Sequence, residues 1–98
     1  MTALRERALV LLDSTPSLPR HVRIQFDPVR QAYAVLSPER VFWPDEISLD
    51  ILRRCDGRTS VGAMIADLTA EYDAPEDEVA GDIMTFLQEW ADRLLVRP

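Results

Sequence analysis

Cys55 and His21 are the single cysteine and the single histidine of this 98-residue chain, and they are where chemistry would first be sought. One thiol excludes a disulfide within the chain, and one Cys with one His leaves a zinc site short of ligands. Cys55 instead reads as a small apolar residue near a helix end. A Ser/His/Asp arrangement needs an oriented imidazole, whereas His21 opens a strand-like segment beside Arg20 and Arg23, where a solvated histidine is the plainer reading. The three glycines, Gly57, Gly62 and Gly81, are dispersed and build no phosphate loop. Asp56, next to Gly57, is a turn residue. These residues point to no catalysis, no metal and no cofactor.

The elements that would position any functional group follow from periodicity. Residues 1–18 resemble a leader: "TALRERALVLL" could form a short amphipathic helix, but "DSTPSLP" after it has linker composition. We therefore expect a flexible tail or linker over 1–18 and one folded domain over 19–96. In "HVRIQFD", Val22, Ile24 and Phe26 alternate with Arg23, Gln25 and Asp27, the period of a half-buried strand. "DPVRQ" turns the chain, and "AYAVL" gives a second strand. After "SPE", "RVFW" makes a short third strand on the rim, closed by Pro44, which has no amide hydrogen to donate.

From Asp45 the period becomes helical. Asp45 caps a first helix with Ile47, Ile51, Leu52 and Cys55 as its inward stripe, and Gly57 follows its last turn. Ser60 caps a second helix carrying Val61, Ile65, Leu68 and Tyr72. Asp73-Ala74-Pro75 breaks it, and a third helix begins near Pro75 with Glu76, Asp77 and Glu78 in its first turn. Its apolar stripe is Val79, Ile83, Phe86, Leu87, Trp90 and Leu94, and the helix is expected to run on to Leu95. The fold class is α+β: a three-stranded antiparallel sheet followed by a three-helix bundle, like a winged helix-turn-helix.

The "LRRCDGRTSVGAMI" stretch has helix–turn–helix punctuation, so DNA binding must be weighed. Up to residue 40 six arginines face four carboxylates; beyond it thirteen carboxylates face five arginines. The third helix carries Glu76, Asp77, Glu78, Asp82, Glu89 and Asp92 against Arg93 alone. A reading helix lies against phosphates and gains much of its affinity by neutralising them. This one would repel them, so no nucleic acid is expected. No apolar run of about 18 residues is present, so no transmembrane span is read. With no clear signal peptide, the cytoplasm is the expected compartment.

Two features remain. The third strand offers Arg40, Val41, Phe42 and Trp43 on an edge, where unpaired amide and carbonyl groups can accept a guest strand. On the third helix, advancing about 100° per residue from Val79, the core stripe spans about −20° to 80°. Ala80, Met84 and Ala91 extend it to about 140°, while Asp82, Glu89 and Arg93 make the other flank polar. Two readings of that apolar shoulder stand open: cover by the second helix or the N-terminal segment, or a shelf beneath a bound peptide, where methionine adapts to its partner. The candidate peptide-binding set is Arg40, Val41, Phe42, Trp43, Ala80, Ile83, Met84, Leu87 and Ala91.

"ILRRCDG" at 51–57, followed by "SVGAMIADLTAEYDAPEDEVAGDIMTFLQEWADRLLV", resembles the PqqD family of pyrroloquinoline quinone biosynthesis. Glu78, Val79, Asp82 and Ile83 match the family's Glu-Val-x-x-Asp-Val, and "PRHVRIQFD" resembles its Pro-Arg-x-Val-Arg start. The likeness covers roughly residues 18–96. It implies a peptide chaperone, a recognition element for ribosomally synthesised, modified peptides; a monomer is our own expectation. Such a protein binds the precursor peptide PqqA as an added strand beside strand three against helix three. It presents that peptide to the radical S-adenosylmethionine enzyme PqqE, and in some organisms is fused behind PqqC. Trp43-Pro44 stands where the family commonly has Leu-Asn, and Arg93 stands where many members have Gly. The alternatives are a winged-helix transcription regulator, or a docking adaptor without its own peptide groove.

Overall fold

The computed structural model describes residues 7–98. Three strands, β1 (Arg23–Asp27), β2 (Ala32–Leu36) and β3 (Val41–Phe42), precede three helices, α1 (Glu46–Arg53), α2 (Val61–Tyr72) and α3 (Glu76–Asp92). The sheet is antiparallel in the order β1-β2-β3. Asp27 makes the first turn: its carboxylate accepts from the amides of Val29 and Arg30 at 2.9 and 3.3 Å, and Gln31 takes a left-handed φ of 53° before β2 begins. Ser37 and Arg40 close the second turn, Ser37 N–H donating to the Arg40 carbonyl at 2.9 Å.

The helices start where side-chain caps satisfy otherwise unpaired amides. Asp45 accepts from Ser48 N–H at 2.8 Å, and Ser60 accepts from Ala63 N–H at 3.1 Å. The capping bond from Ser48 holds the Asp45 carboxyl below its usual pKa. The apolar stripes converge on a core of Val35, Ile51, Leu52, Val61, Met64, Leu68, Ile83 and Leu87. Cys55 is buried with them, its thiol donating to the Ile51 carbonyl. Burial, with Asp56 beside it, pushes the Cys55 pKa up to about 12, which keeps it an unreactive thiol.

Three sequence expectations change. Ile47, assigned to the inward stripe of α1, is 49% exposed. Helix α3 stops at Asp92, because Leu94 adopts a left-handed φ of 63° and turns the chain; Leu95 and Val96, not Leu94, then enter the core. The third concerns residues 7–18, which form no helix and no loose tail. They lie as a strap across α3 and the start of α2, with Val10 and Pro16 buried.

The strap is held by polar groups that the helices leave unpaired. Val61 and Gly62 amides, in the first turn of α2, donate to the Ser14 and Leu12 carbonyls at 2.9 Å. Gln88 of α3 accepts from Val10 N–H at 3.0 Å and donates to the Ala8 carbonyl at 2.9 Å. Arg7 grips Asp92 with two bonds of 2.8 and 2.7 Å. Ser17 exchanges a pair of 2.8 Å backbone bonds with Arg97, tying the strap to the C-terminal segment. Residues 1–6 of the expected tail lie outside the described residues.

Candidate functional site

Strand β3 has a partner on one side only. The bond from Ser37 N–H to the Arg40 carbonyl, with Leu36 opposite Val41 and Val35 opposite Phe42, fixes which backbone groups remain free. Antiparallel strands alternate hydrogen-bonded and non-bonded pairs. Arg40 and Phe42 therefore point their polar backbone groups at β2, and Val41 points its N–H and C=O away from the sheet. The same alternation, continued, aims Pro44 toward β2, so its missing N–H removes nothing from the free edge. The proline shortens the strand without silencing it.

Side chains alternate too. Phe42 shares its face with Ile24 and Val35 and packs on α3, its ring centroid 5.2 Å from that of Trp90. Phe86 stacks on Trp90, also at 5.2 Å. The Arg40 guanidinium lies 5.4 Å from the Phe42 centroid, on the same face. The free edge thus runs above an aromatic floor of Phe42, Trp90 and Phe86. Val41 and Trp43 project to the opposite face, where they line a hollow of about 300 Å³ with Ala34 and Leu36, and Arg30 covers Trp43 at 5.0 Å.

The groove between β3 and α3 is bounded by two hollows. At the start of β3, His21, Ser37, Pro38, Glu39, Arg93, Leu94 and Leu95 enclose about 250 Å³. At the far end, Ile47, Leu68, Tyr72, Ala74, Glu78, Val79, Asp82 and Ile83 enclose about 120 Å³. The Tyr72 hydroxyl donates to Asp50, which with nearby carboxylates pushes the tyrosine's pKa up to about 12.

The nine candidate residues separate. Arg40 and Phe42 meet at the groove, which Val41 reaches only with its backbone groups, while the Val41 and Trp43 side chains sit on the outer sheet face. Ile83, Leu87 and Ala91 are buried in the core. Met84 and Ala80 are half-buried, and Met84 lines a hollow with Arg7 and Gln88 beneath the strap. Of the two readings of the shoulder, the structure favours cover by the N-terminal segment. The flank of α3 beside β3 is the opposite one, where Phe86 stands with Asp82 and Arg93, while Glu89 lines the hollow at Arg7 and Met84. Sequence reasoning placed Phe86 in the core stripe and passed over it; one aromatic on an otherwise charged flank was the available signal.

Among the described residues no three His, Cys, Asp or Glu side chains are grouped to hold a metal ion. Nor is any described helix long and apolar enough to cross a membrane. A free, aromatic-backed strand edge beside a helix is the class of surface on which strand addition takes place in peptide-binding proteins.

Comparison with known proteins narrows that class. The family model described as Coenzyme PQQ synthesis protein D (PqqD) matches residues 32–96. A PqqA binding protein of Rhodopseudomonas palustris (strain ATCC BAA-98 / CGA009) is 49% identical over 78 residues, covering 80% of this chain and 76% of its own. One from Xanthomonas oryzae pv. oryzae (strain PXO99A) is 34% identical over 85 residues, covering 87% and 92%. The solution NMR structure of the PqqD truncation of Methylobacterium extorquens PqqCD, a stand-alone recognition element for ribosomally synthesised and post-translationally modified peptides, superposes with a TM-score of 0.78. It is 32% identical and covers 96% of this chain and 100% of that one. The crystal structure of PqqD from Xanthomonas campestris gives 0.57 at 34% identity, covering 91% and 99%. This chain belongs to the PqqD family.

Proposed function

We propose that this protein is a non-enzymatic chaperone for a ribosomal precursor peptide of the PqqA type in pyrroloquinoline quinone biosynthesis. It takes the peptide as a fourth strand beside β3, against α3, and presents it to a radical S-adenosylmethionine enzyme of the PqqE type. The observation that carries this reading is the outward Val41 N–H and C=O above the Phe42–Trp90–Phe86 floor. A guest strand there gains main-chain hydrogen bonds from the edge and side-chain pockets from the groove. The relatives named as PqqA binding proteins support the choice of ligand. The site residues we assign to the groove are Arg40, Val41, Phe42, Ile47, Asp82, Phe86, Trp90 and Arg93.

Titration of the 15N-labelled protein with unlabelled precursor peptide tests the reading. Chemical-shift changes concentrated at Val41, Phe42 and Phe86 are expected, with residues of the strap flank such as Met84 little affected. Saturable binding that leaves Val41 and Phe42 unmoved would reject strand addition. Nucleic acid is disfavoured by the carboxylates along α3, since phosphate binding draws on Lys and Arg.

A further inference from the structure

The groove has a direction. Strand β3 leaves the Ser37–Arg40 turn, passes the aromatic floor and leads to Ile47 at the start of α1, while α3 runs the opposite way past the same floor. Charges sort along this line. At the β3-start end stand Arg40, over the Phe42 ring, and Arg93, lining the first hollow with His21; Glu39 is the carboxylate of that lining. At the far end Glu78 and Asp82 rim the second hollow, with no arginine or histidine among its lining residues. At the end of α1, Arg53 lies over Tyr33, while Arg54 pairs with Glu71 at 3.1 Å and donates to the Asp50 carbonyl, so its charge is already matched and it does not line the hollow.

Asp50, which accepts from the Tyr72 hydroxyl, and Glu46 add negative charge near that end, while Glu71 is paired with Arg54. The positive end of the α3 dipole is met by Glu76, Asp77 and Glu78 in its first turn, and Asp82 lies beyond that turn.

We propose that this polarity orients the guest. The bound peptide carries a carboxylate where it passes Arg40 and Arg93 and a cationic side chain where it passes Glu78 and Asp82. An antiparallel guest therefore reads basic before acidic from its N-terminus. This rests on the strand-addition reading and deepens it, because it names the charge order of the substrate.

Two synthetic peptides test it. Each has the same β-prone apolar centre, with lysine at one end and glutamate at the other in one, and the two exchanged in the second. Both are neutral, so the chain's net charge of −6 cannot choose between them. A nitroxide beside the lysine should broaden the amide resonances of Ile47 and Asp82, and spare those of Arg40 and Arg93, whichever terminus the lysine occupies. In the variant combining Arg40→Glu, Arg93→Glu, Glu78→Lys and Asp82→Lys, whose four sites are all exposed, the label should move to the other end. Single Asp82→Lys should weaken the lysine-first peptide about threefold to tenfold at low ionic strength, as rim charge pairs do, and the effect should shrink with salt. If both peptides shift Val41 but the label is found at both ends, the directional inference falls and strand addition stands. If neither peptide shifts Val41, strand addition itself falls.

Discussion

The two flanks of α3 have the same origin and opposite fates. One, at Met84, Gln88, Ala91 and Asp92, is dressed by the chain's own strap, which spends its backbone groups on Gln88 and its first described arginine on Asp92. The other, at Asp82, Phe86 and Arg93, lies beside β3, whose outer edge has no partner strand. The apolar flank is the covered one, and the charged flank with one aromatic is the one left open. A permanent cover rewards apolar contact and full hydrogen bonding. A site that must bind and release tolerates charge on its rim and concentrates its apolar area in a few aromatic residues.

Beneath the open flank lies Trp90, which is buried and has both Phe42 and Phe86 at 5.2 Å. Trp90→Ala should erase the comparison by destabilising the whole domain, by about 3–5 kcal/mol. Urea unfolding monitored by circular dichroism reads this directly. A loss below about 1 kcal/mol would mean that the floor is not part of the core, against the scale expected for a buried Trp.

Three substitutions should separate the flanks. Val41→Pro removes an outward amide and no sheet bond, so precursor-peptide affinity should fall at least about tenfold with the helices intact. Phe86→Ala should cost a similar factor, as the loss of an aromatic anchor does. Met84→Asp should leave peptide affinity within about twofold, because its flank is under the strap and contributes no rim pair to the guest. Calorimetric titration distinguishes the three. Tight binding by Val41→Pro together with weak binding by Met84→Asp would exchange the roles of the flanks.

How much of this was legible beforehand follows from where the information sits. The Asp45 and Ser60 caps, the strand alternation and the helical stripes were readable, because each depends on neighbours a few residues away. Val41 and Phe42 were readable as an edge for the same reason: a short apolar strand ending at Pro44. The strap was not, since the bonds of Gln88 join residues about eighty positions apart and nothing local distinguishes a linker from a strap. Nor was the flank that faces β3, which only the crossing of strand and helix decides. The Leu94 turn was missed because a left-handed leucine goes against its own backbone preference and is held by the burial of Leu95 and Val96 behind it.

A gentler perturbation sharpens the covered side. Gln88→Ala removes the acceptor of Val10 N–H and the donor to the Ala8 carbonyl, for an expected loss of about 1–2 kcal/mol. Hydrogen exchange at Val10 should quicken well beyond any change at Val35. Peptide affinity should be unchanged. A variant that instead weakened peptide binding would couple the two flanks through α3.

The smallest expected effect is set by pH. Asp92 accepts from the Arg7 guanidinium and from Gln88, and the Arg7 bond is the chief reason its carboxyl lies below the ordinary aspartate range. A carboxyl whose folded pKa is depressed stabilises the fold above its unfolded value, near 4 for aspartate, and that contribution is lost as pH falls through the folded value. The strap end should therefore stay clasped at neutral pH and loosen only in acid. The Arg7 Nε resonance and the Gln88 side-chain amide should report one common step below the usual aspartate midpoint. In Arg7→Met the Asp92 midpoint should rise toward the ordinary value, and in Asp92→Asn the step should vanish. Because both side chains are substantially exposed, added salt should draw the wild-type midpoint in the same direction as Arg7→Met. An Asp92 that titrates at its ordinary value in the wild-type protein would show that Arg7 does not hold it in solution, leaving Gln88 alone to fasten the strap to α3.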